Sequence, residues 1–461
     1  MMRSNRLAAA AAALVCLLAA GAKLGQFSHG KPAGATASMS TAAPVVEVWR
    51  RTLVVGDADR DWLYCWSADG LTPELSLVSG SSTIKLAAVR FRPAAWFEAG
   101  WHVGGRLPIN TAPGDYSLRV GAVDCGRVTV LPRVARPVVR VTCDVPDAAD
   151  AIESAAAGGD VSLGPGEFRL SRPLRLPAGR VVRGAGSVLS GERITQADPL
   201  IHWRGVSFRG GWLGSFDPGS SFIDCVFDRC QVWAQGGLFV DCAWRGLAGA
   251  RDGQTHAFST WGLSGPLGMV GAVFDSTDRG PVLNSFTSPI TGALFADVVV
   301  RGLGWVENGN EVLCIEGGED SPGVRRCVFH RWRVYDCEGD ATAFFAPVVD
   351  CVFDGWAADR ASLLLLSRKP GTCTGNRVTR CEFRGGGLVL GAGVSSTVVE
   401  RCAFLSPGVF RGNRGFTQPF FYDEKLNAAE AAKYNPPARV SANGVDSRGN
   451  IIAESFFGGG K

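Results

Sequence analysis

The chain has 461 residues, 46% of them hydrophobic and 20% charged, with a formal net charge of +4. That composition supports a packed core and excludes an intrinsically disordered chain, and so small a charge excludes the strong basic footprint of a nucleic-acid binder. Glycine is abundant, at 60 residues, and many short apolar runs punctuated by Gly and Pro point to an all-β fold.

In chain order, Arg3 and Arg6 precede an apolar stretch, 7–18, and Ala20-Gly21-Ala22 forms a small-residue cleavage site. Residues 1–22 therefore read as a signal peptide, which implies a secreted, periplasmic or cell-surface protein. No later stretch is long and apolar enough to cross a membrane, so no span is expected after cleavage. Residues 23–44 are rich in Gly, Ala, Ser, Thr and Pro and read as a flexible linker.

Residues 45–133 alternate strand-like runs and turns, ending in Ala112-Pro113-Gly114-Asp115-Tyr116-Ser117-Leu118. This rhythm resembles the small immunoglobulin-like β-sandwich modules that precede secreted enzymes. Cys65 and Cys125 are its only cysteines and are candidates for one bridge. Trp49, Trp62, Trp66, Trp96 and Trp101 read either as core or as a sugar-stacking platform.

The next segment is the most specific. Residues 147–157 form a short helix with Asp147 at its start and Gly158-Gly159 at its stop. A strand, the Pro165-Gly166 turn to Phe168, and the Gly184-Ala185-Gly186 turn follow. This succession resembles the first coils of pectate-lyase-like proteins, and it implies a right-handed parallel β-helix over residues 140–415. An irregular repeat supports that fold. A Cys or small residue, one spacer and an aromatic recur at Cys225/Phe227, Cys242/Trp244, Ala272/Phe274, Ala293/Phe295, Cys327/Phe329, Cys351/Phe353, Cys381/Phe383 and Cys402/Phe404. Residues two apart in a strand share a face, so both members are expected inside, one motif per coil, with coils about 4.8 Å apart. The motif cysteines are then expected to be buried, reduced thiols, because parallel Cβ vectors do not suit a disulfide dihedral. Residues 416–461 break the pattern and read as a C-terminal cap or tail, with a final strand over 451–457.

The pectate-lyase-like resemblance implies polysaccharide as partner and a lyase or glycoside hydrolase as activity, with a non-catalytic glycan-binding scaffold as the alternative. The family's active-site signatures are not matched. There is no adjacent Asp-Asp, no Gly-His-Gly, and Cys373 stands where an Arg-x-Pro-x-x-Arg motif beginning at Arg368 would place its second Arg. Three constellations remain as candidates. Arg368-Lys369 could supply the base of a lyase, or be a solvated turn beside Pro370-Gly371. Glu311, Glu316, Glu319 and Asp320 have the oxygen density of a Ca²⁺ site, or are solvated loop carboxylates. His330 and Asp340, with Asp336 and Glu338 between them, could serve acid–base chemistry, or sit on the surface. The charged residues that flank the motifs, Asp224, Asp241, Arg326, Asp350, Arg380 and Arg401 before and Asp228, Arg245, Asp275, His330, Asp354 and Arg384 after, are expected on one outer face.

Overall fold

The computed structural model describes residues 44–89, 100–195, 200–214, 216–246, 257–261, 263–275, 284–287, 289–301, 313–316, 322–335, 342–344, 347–359, 363–365, 372–384, 387–390, 393–406, 420–422, 440–445 and 449–457. The expected signal peptide and all but the last residue of the linker lie outside these residues.

The N-terminal part is a two-sheet module. One sheet orders Glu47–Trp49, Trp62–Leu71, Gly100–Arg106 and Ala87–Ala88; the other orders Thr52–Val54, Val123–Leu131, Gly114–Val120, Leu75–Ser79 and Ser82–Lys85. Leu53, Leu63, Cys65, Leu77, Val103, Leu118 and Val128 fill the space between the two sheets. Cys65 and Cys125 are both free thiols, so the bridge considered from sequence is not formed.

The rest is a parallel β-helix. Among the described residues its largest sheet carries 23 strands, and two further sheets carry nine and five. The helix Ala148–Gly158 closes the first end. Asp147 caps it by accepting from the Asp150 amide, and Ala149, Ile152 and Ala156 face the stack. Such a cap contributes about 1 kcal/mol, and the helix shields the initial rungs from edge pairing. At the far end the strand Ile451–Phe457 adds one more parallel rung to Val398–Glu400. The antiparallel strand Val440–Val445 then pairs along it.

From Asp224 onward the coils share one corner among the described residues. Between two short strands of the large sheet stands one residue with a left-handed backbone, for example Asp224, Asp241, Asp297, Arg331, Arg380 and Arg401 at φ of 51–56° or close to it, with Gly271 and Gly355 at equivalent places. Its amide still donates to the next coil, as Asp241 N does to Val270 O at 2.8 Å and Arg380 N does to Glu400 O at 3.0 Å. The bend therefore costs no ladder bond, only the left-handed penalty of about 1–2 kcal/mol for an Arg. The residue after each corner points inward.

This geometry corrects the reading of the repeat. The motifs do not form a single ladder. Phe208, Phe227, Trp244 and Phe274 are in register, and that column continues through Val300, Val334 and Ala358 to Phe383 and Phe404. A second column runs Trp203, Phe222, Phe239, Met269, Phe295, Phe329, Phe353, Val378 and Val399. Ala293/Phe295, Cys327/Phe329 and Cys351/Phe353 belong to this second column, because they follow a different corner, made by Gly292, Arg326 and Asp350. Stacked rings repeat at the coil spacing, with Phe222–Phe239 at 4.7 Å and Phe329–Phe353 at 4.9 Å, each pair adding about 0.5–1.5 kcal/mol beyond area burial. All six motif cysteines are buried and free. Burial pushes the thiols of Cys242, Cys351 and Cys381 well up, and each is raised further by a cysteine neighbour.

The module is packed against the β-helix by period-two alternation. In the strand Trp62–Leu71, Leu63 and Cys65 enter the sandwich core. Trp62, Tyr64 and Trp66 point the other way. Together with Trp49 they form a second core with Ile223, Leu238, Val240, Val270, Leu294, Ala296, Val328 and Val352, the outward residues of the Phe239–Phe353 column. The indole N–H of Trp66 donates to the Gly292 carbonyl. Gly292 has a φ of +67°, which strains any larger residue, and a Cβ there would meet the Glu47 side chain at 2.4 Å and force it to move. These tryptophans are core, not a sugar platform; Trp96 lies outside the described residues.

Candidate functional site

His330 closes the strand Val328–His330 and points away from the coil interior, as expected, but the module covers it. Its Nδ1 lies 2.7 Å from an Asp354 carboxylate oxygen one coil further on. Asp354 is fully buried and accepts also from Trp101 Nε1 at 3.1 Å and from Arg380 Nε and Nη2 at 2.8 and 2.5 Å. Burial alone would push this carboxyl up; the bonds from His330 and Arg380 outweigh it and hold it at about 2. Across the interface the Tyr64 hydroxyl and His102 Nδ1 are 2.9 Å apart, and the His102 ring lies 5.7 Å from that of His330. Burial, with His330 beside it, pushes His102 down to about 3. The pair thus joins module to coil through a largely buried polar network whose outer edge is the solvent-exposed Arg380.

Arg368, Lys369, Asp340, Glu311, Glu319 and Asp320 lie outside the described residues. Glu316 ends the strand Leu313–Glu316, with only its backbone described. No group of three or more His, Cys, Asp or Glu among the described residues could hold a metal ion. The charged residues flanking the motifs do not share one face. Asp224, Asp241, Arg380 and Arg401 are corners, as are Arg326 and Asp350 at the second corner. Asp228, Arg245 and Asp275 are in register as a strip of alternating sign. His330 and Asp354 belong to the other column.

A site that the motif pattern does not mark lies on the nine-stranded sheet. In the strand Trp212–Gly214, Leu213 is buried in the core, and in Gln231–Ala234 so is Val232. Alternation therefore sends Trp212 and Trp233 to the outside. Their ring centroids are 6.0 Å apart, tilted by 40°. Trp212 folds back over Gly214, where a Cβ would meet the ring at 2.0 Å, and the Arg193 guanidinium covers it at 4.3 Å. Beside the pair is a depression of about 500 Å³ lined by Glu192, Arg209, Gly210, Gly211, Trp212, Arg229 and Gln231. Arg209 is turned to Asp228 at 3.3 Å and to Glu167 at 3.7 Å. An indole presents an apolar face to the C–H side of a sugar ring, while amide, guanidinium and carboxylate groups around it match hydroxyls. The sequence signal was available: Gly210-Gly211-Trp212 and Val232-Trp233 put Trp at the alternate position to a core aliphatic.

No protein-family model matches the chain, and no curated protein matches it. Among solved structures it is similar to a surface adhesin of Streptococcus pneumoniae, at 9% identity over 68% of this chain and 86% of that one, with a TM-score of 0.29. It is also similar to the catalytic domain of an alpha-1,3-glucanase in complex with tetrasaccharides, at 10% identity over 84% of this chain and 97% of that one, with a TM-score of 0.20. The functional reading rests on the chain's own side chains.

Proposed function

We propose that the protein is an exported β-helix that binds polysaccharide on the open flank carrying Trp212 and Trp233. One observation carries this reading. Trp233 is 36% exposed, and it is the only aromatic among the large hydrophobic side chains exposed in the described residues. Next to it stand a second indole and a mixed set of hydrogen-bonding groups. An indole held in water next to a mostly apolar depression edged by Glu192, Arg209, Arg229 and Gln231 supports a ligand that stacks. The face beneath the module is filled by its aromatic residues, so the open flanks are where a long chain can lie. Among the described residues no helix is long and apolar enough to cross a membrane. The module is read as immunoglobulin-like. Its strand orders and the Tyr116 hydroxyl donating to Ala112 O at 2.7 Å support this.

The finer reading, a lyase on an acidic polysaccharide, assigns the base to Arg368-Lys369 and a Ca²⁺ role to Glu311, Glu316, Glu319 and Asp320. A single experiment separates the two. Alginate, pectate, glycosaminoglycans and a neutral glucan are titrated calorimetrically into the mature protein, with calcium or with chelator. Ultraviolet absorbance of unsaturated uronate products is followed in the same mixtures. Saturable heat without absorbance is the result expected of a binding scaffold. Absorbance that vanishes in Lys369→Ala would make it a lyase. Neither signal with any polysaccharide would sink the proposal.

A further inference from the structure

A second cavity, of about 280 Å³, lies where the module meets the first coils. Four arginines line it, Arg50, Arg51, Arg60 and Arg136, with His202; Asp217 is the lone carboxylate in its wall. Arg60 is neutralised by Asp57 at 2.5 Å and Asp160 at 3.4 Å. The other three make no ion pair among the described residues. Arg51 donates to the Cys125 and Arg127 carbonyls, and Arg136 donates to Gly179 O at 2.8 Å. Asp217 is engaged with its own turn, accepting from the Gly219 amide.

Arg50 is the most telling. It is buried, and its backbone is left-handed at φ 69°, a strained state for a long side chain. Its guanidinium lies over Trp49 and Trp62, donates to Asp59 O at 2.6 Å and approaches His202 Nδ1 at 3.3 Å. The carboxylate of Asp59 is already taken by Arg183 and Arg204. Burial pushes Arg50 down to about 9 despite Asp59 nearby, and burial with Arg50, Arg60 and Arg136 pushes His202 well down. Asp59, Asp57 and Asp61 offset the buried Arg50 charge only through space, without an ion pair to it, and a cavity lined by guanidinium groups is what a bidentate oxyanion fits.

We infer that this cavity is a binding site for one small oxyanion, a sulfate or phosphate or the carboxylate of an acidic sugar, which links the module to the β-helix through Arg50, Arg51 and Arg136. Its volume falls just below the usual range for small-molecule pockets, so a monosaccharide or an inorganic ion fits and a long oligosaccharide does not. This inference stands apart from the Trp212–Trp233 flank.

The test is calorimetric titration of the full mature chain with sulfate, phosphate, galacturonate and neutral galactose at fixed ionic strength. Saturable binding of at least one of the three anions, with none of galactose, is expected. Tighter binding of galacturonate would identify the source as an acidic sugar, and tighter binding of sulfate or phosphate a free oxyanion. The rim variant Arg51→Gln/Arg136→Gln, checked for folding by circular dichroism, should weaken binding at least tenfold, and Asp217→Asn should strengthen it. No saturable heat with any anion, equal binding of galactose, or unchanged affinity in the rim variant would overturn the inference.

Discussion

His330 Nδ1 lies 2.7 Å from the carboxylate of Asp354, and that carboxylate also receives Trp101 Nε1 from the N-terminal module at 3.1 Å. One buried carboxylate therefore ties two coils and the module together. Removing it leaves a buried imidazole, an indole N–H and Arg380 without their acceptor. Asp354→Ala is expected to cost about 2–4 kcal/mol, because it leaves the His330 and Trp101 donors unsatisfied while the exposed Arg380 turns to solvent. Asp354→Asn keeps the shape and should cost less, about 1–3 kcal/mol. Urea unfolding monitored by tryptophan fluorescence measures both; a loss below about 1 kcal/mol in the alanine variant would show that the network does not join the parts.

The shared core of Trp49, Trp62, Trp66 and the outer aliphatics from Ile223 to Val352 predicts that module and β-helix unfold together. One calorimetric transition is expected. Trp66→Ala should lower its stability by about 3–5 kcal/mol through cavity formation and loss of buried area. Two separated transitions in the unaltered protein would contradict a common core.

Acid should weaken this junction. His102 and His202 are held neutral, His102 at about 3 and His202 well below its ordinary value, chiefly by burial. In the unfolded chain both take up a proton below about pH 6.5. Between there and the folded values the unfolded state binds more protons, so stability falls as pH falls, by about 1.4 kcal/mol per pH unit for each histidine. Asp354, held at about 2, adds its own loss as pH drops from about 4 towards 2. Urea midpoints measured from pH 7.5 to 4 should decline steeply below about pH 6.5, and His102→Gln should flatten the slope. A level profile across that range would count against buried neutral histidines.

Thiol reactivity offers a check of the coil interior. Among the described cysteines only Cys143 is exposed and Cys125 half-buried; the motif cysteines, Cys65, Cys230 and Cys373 are buried. An aromatic disulfide reagent should label Cys143 rapidly and Cys125 more slowly. The buried set should react only in denaturant, since the thiolate is the reactive form and burial disfavours it. Failure to recover the buried thiols in denaturant without reductant would mean that they are oxidised.

Much of the fold was readable because the Cys-x-aromatic motif reports a physical requirement, two inward side chains separated by one outward residue. What the motif could not reveal is which of two corners precedes it. Asp224 and Asp350 look alike in sequence, both an acidic residue before Cys, yet they turn the chain at different corners. Register between distant coils separates them, and loop lengths of 17 residues from Phe227 to Trp244 and 34 from Val300 to Val334 hide that register. The docking face did leave a trace. Leu238-Phe239-Val240 and Leu294-Phe295-Ala296 are apolar on both sides, as strands covered on both faces are, whereas Arg377-Val378-Thr379 alternates. His330 is polar in the same register, so the pattern marked it as a surface residue; only the Tyr64–His102 side of the module explains its burial. Trp212 and Trp233 went unmarked because they stand outside the repeat.

The most direct test of polysaccharide binding on the open flank is the affinity of Trp212→Ala/Trp233→Ala for the polysaccharide that the unaltered protein binds, measured by calorimetry. Truncating two central aromatic contacts should cost at least about 2 kcal/mol, or roughly thirtyfold in affinity, with the circular dichroism spectrum and unfolding midpoint of the fold preserved. Affinity unchanged in this variant would contradict the account and move the binding surface away from these two indoles.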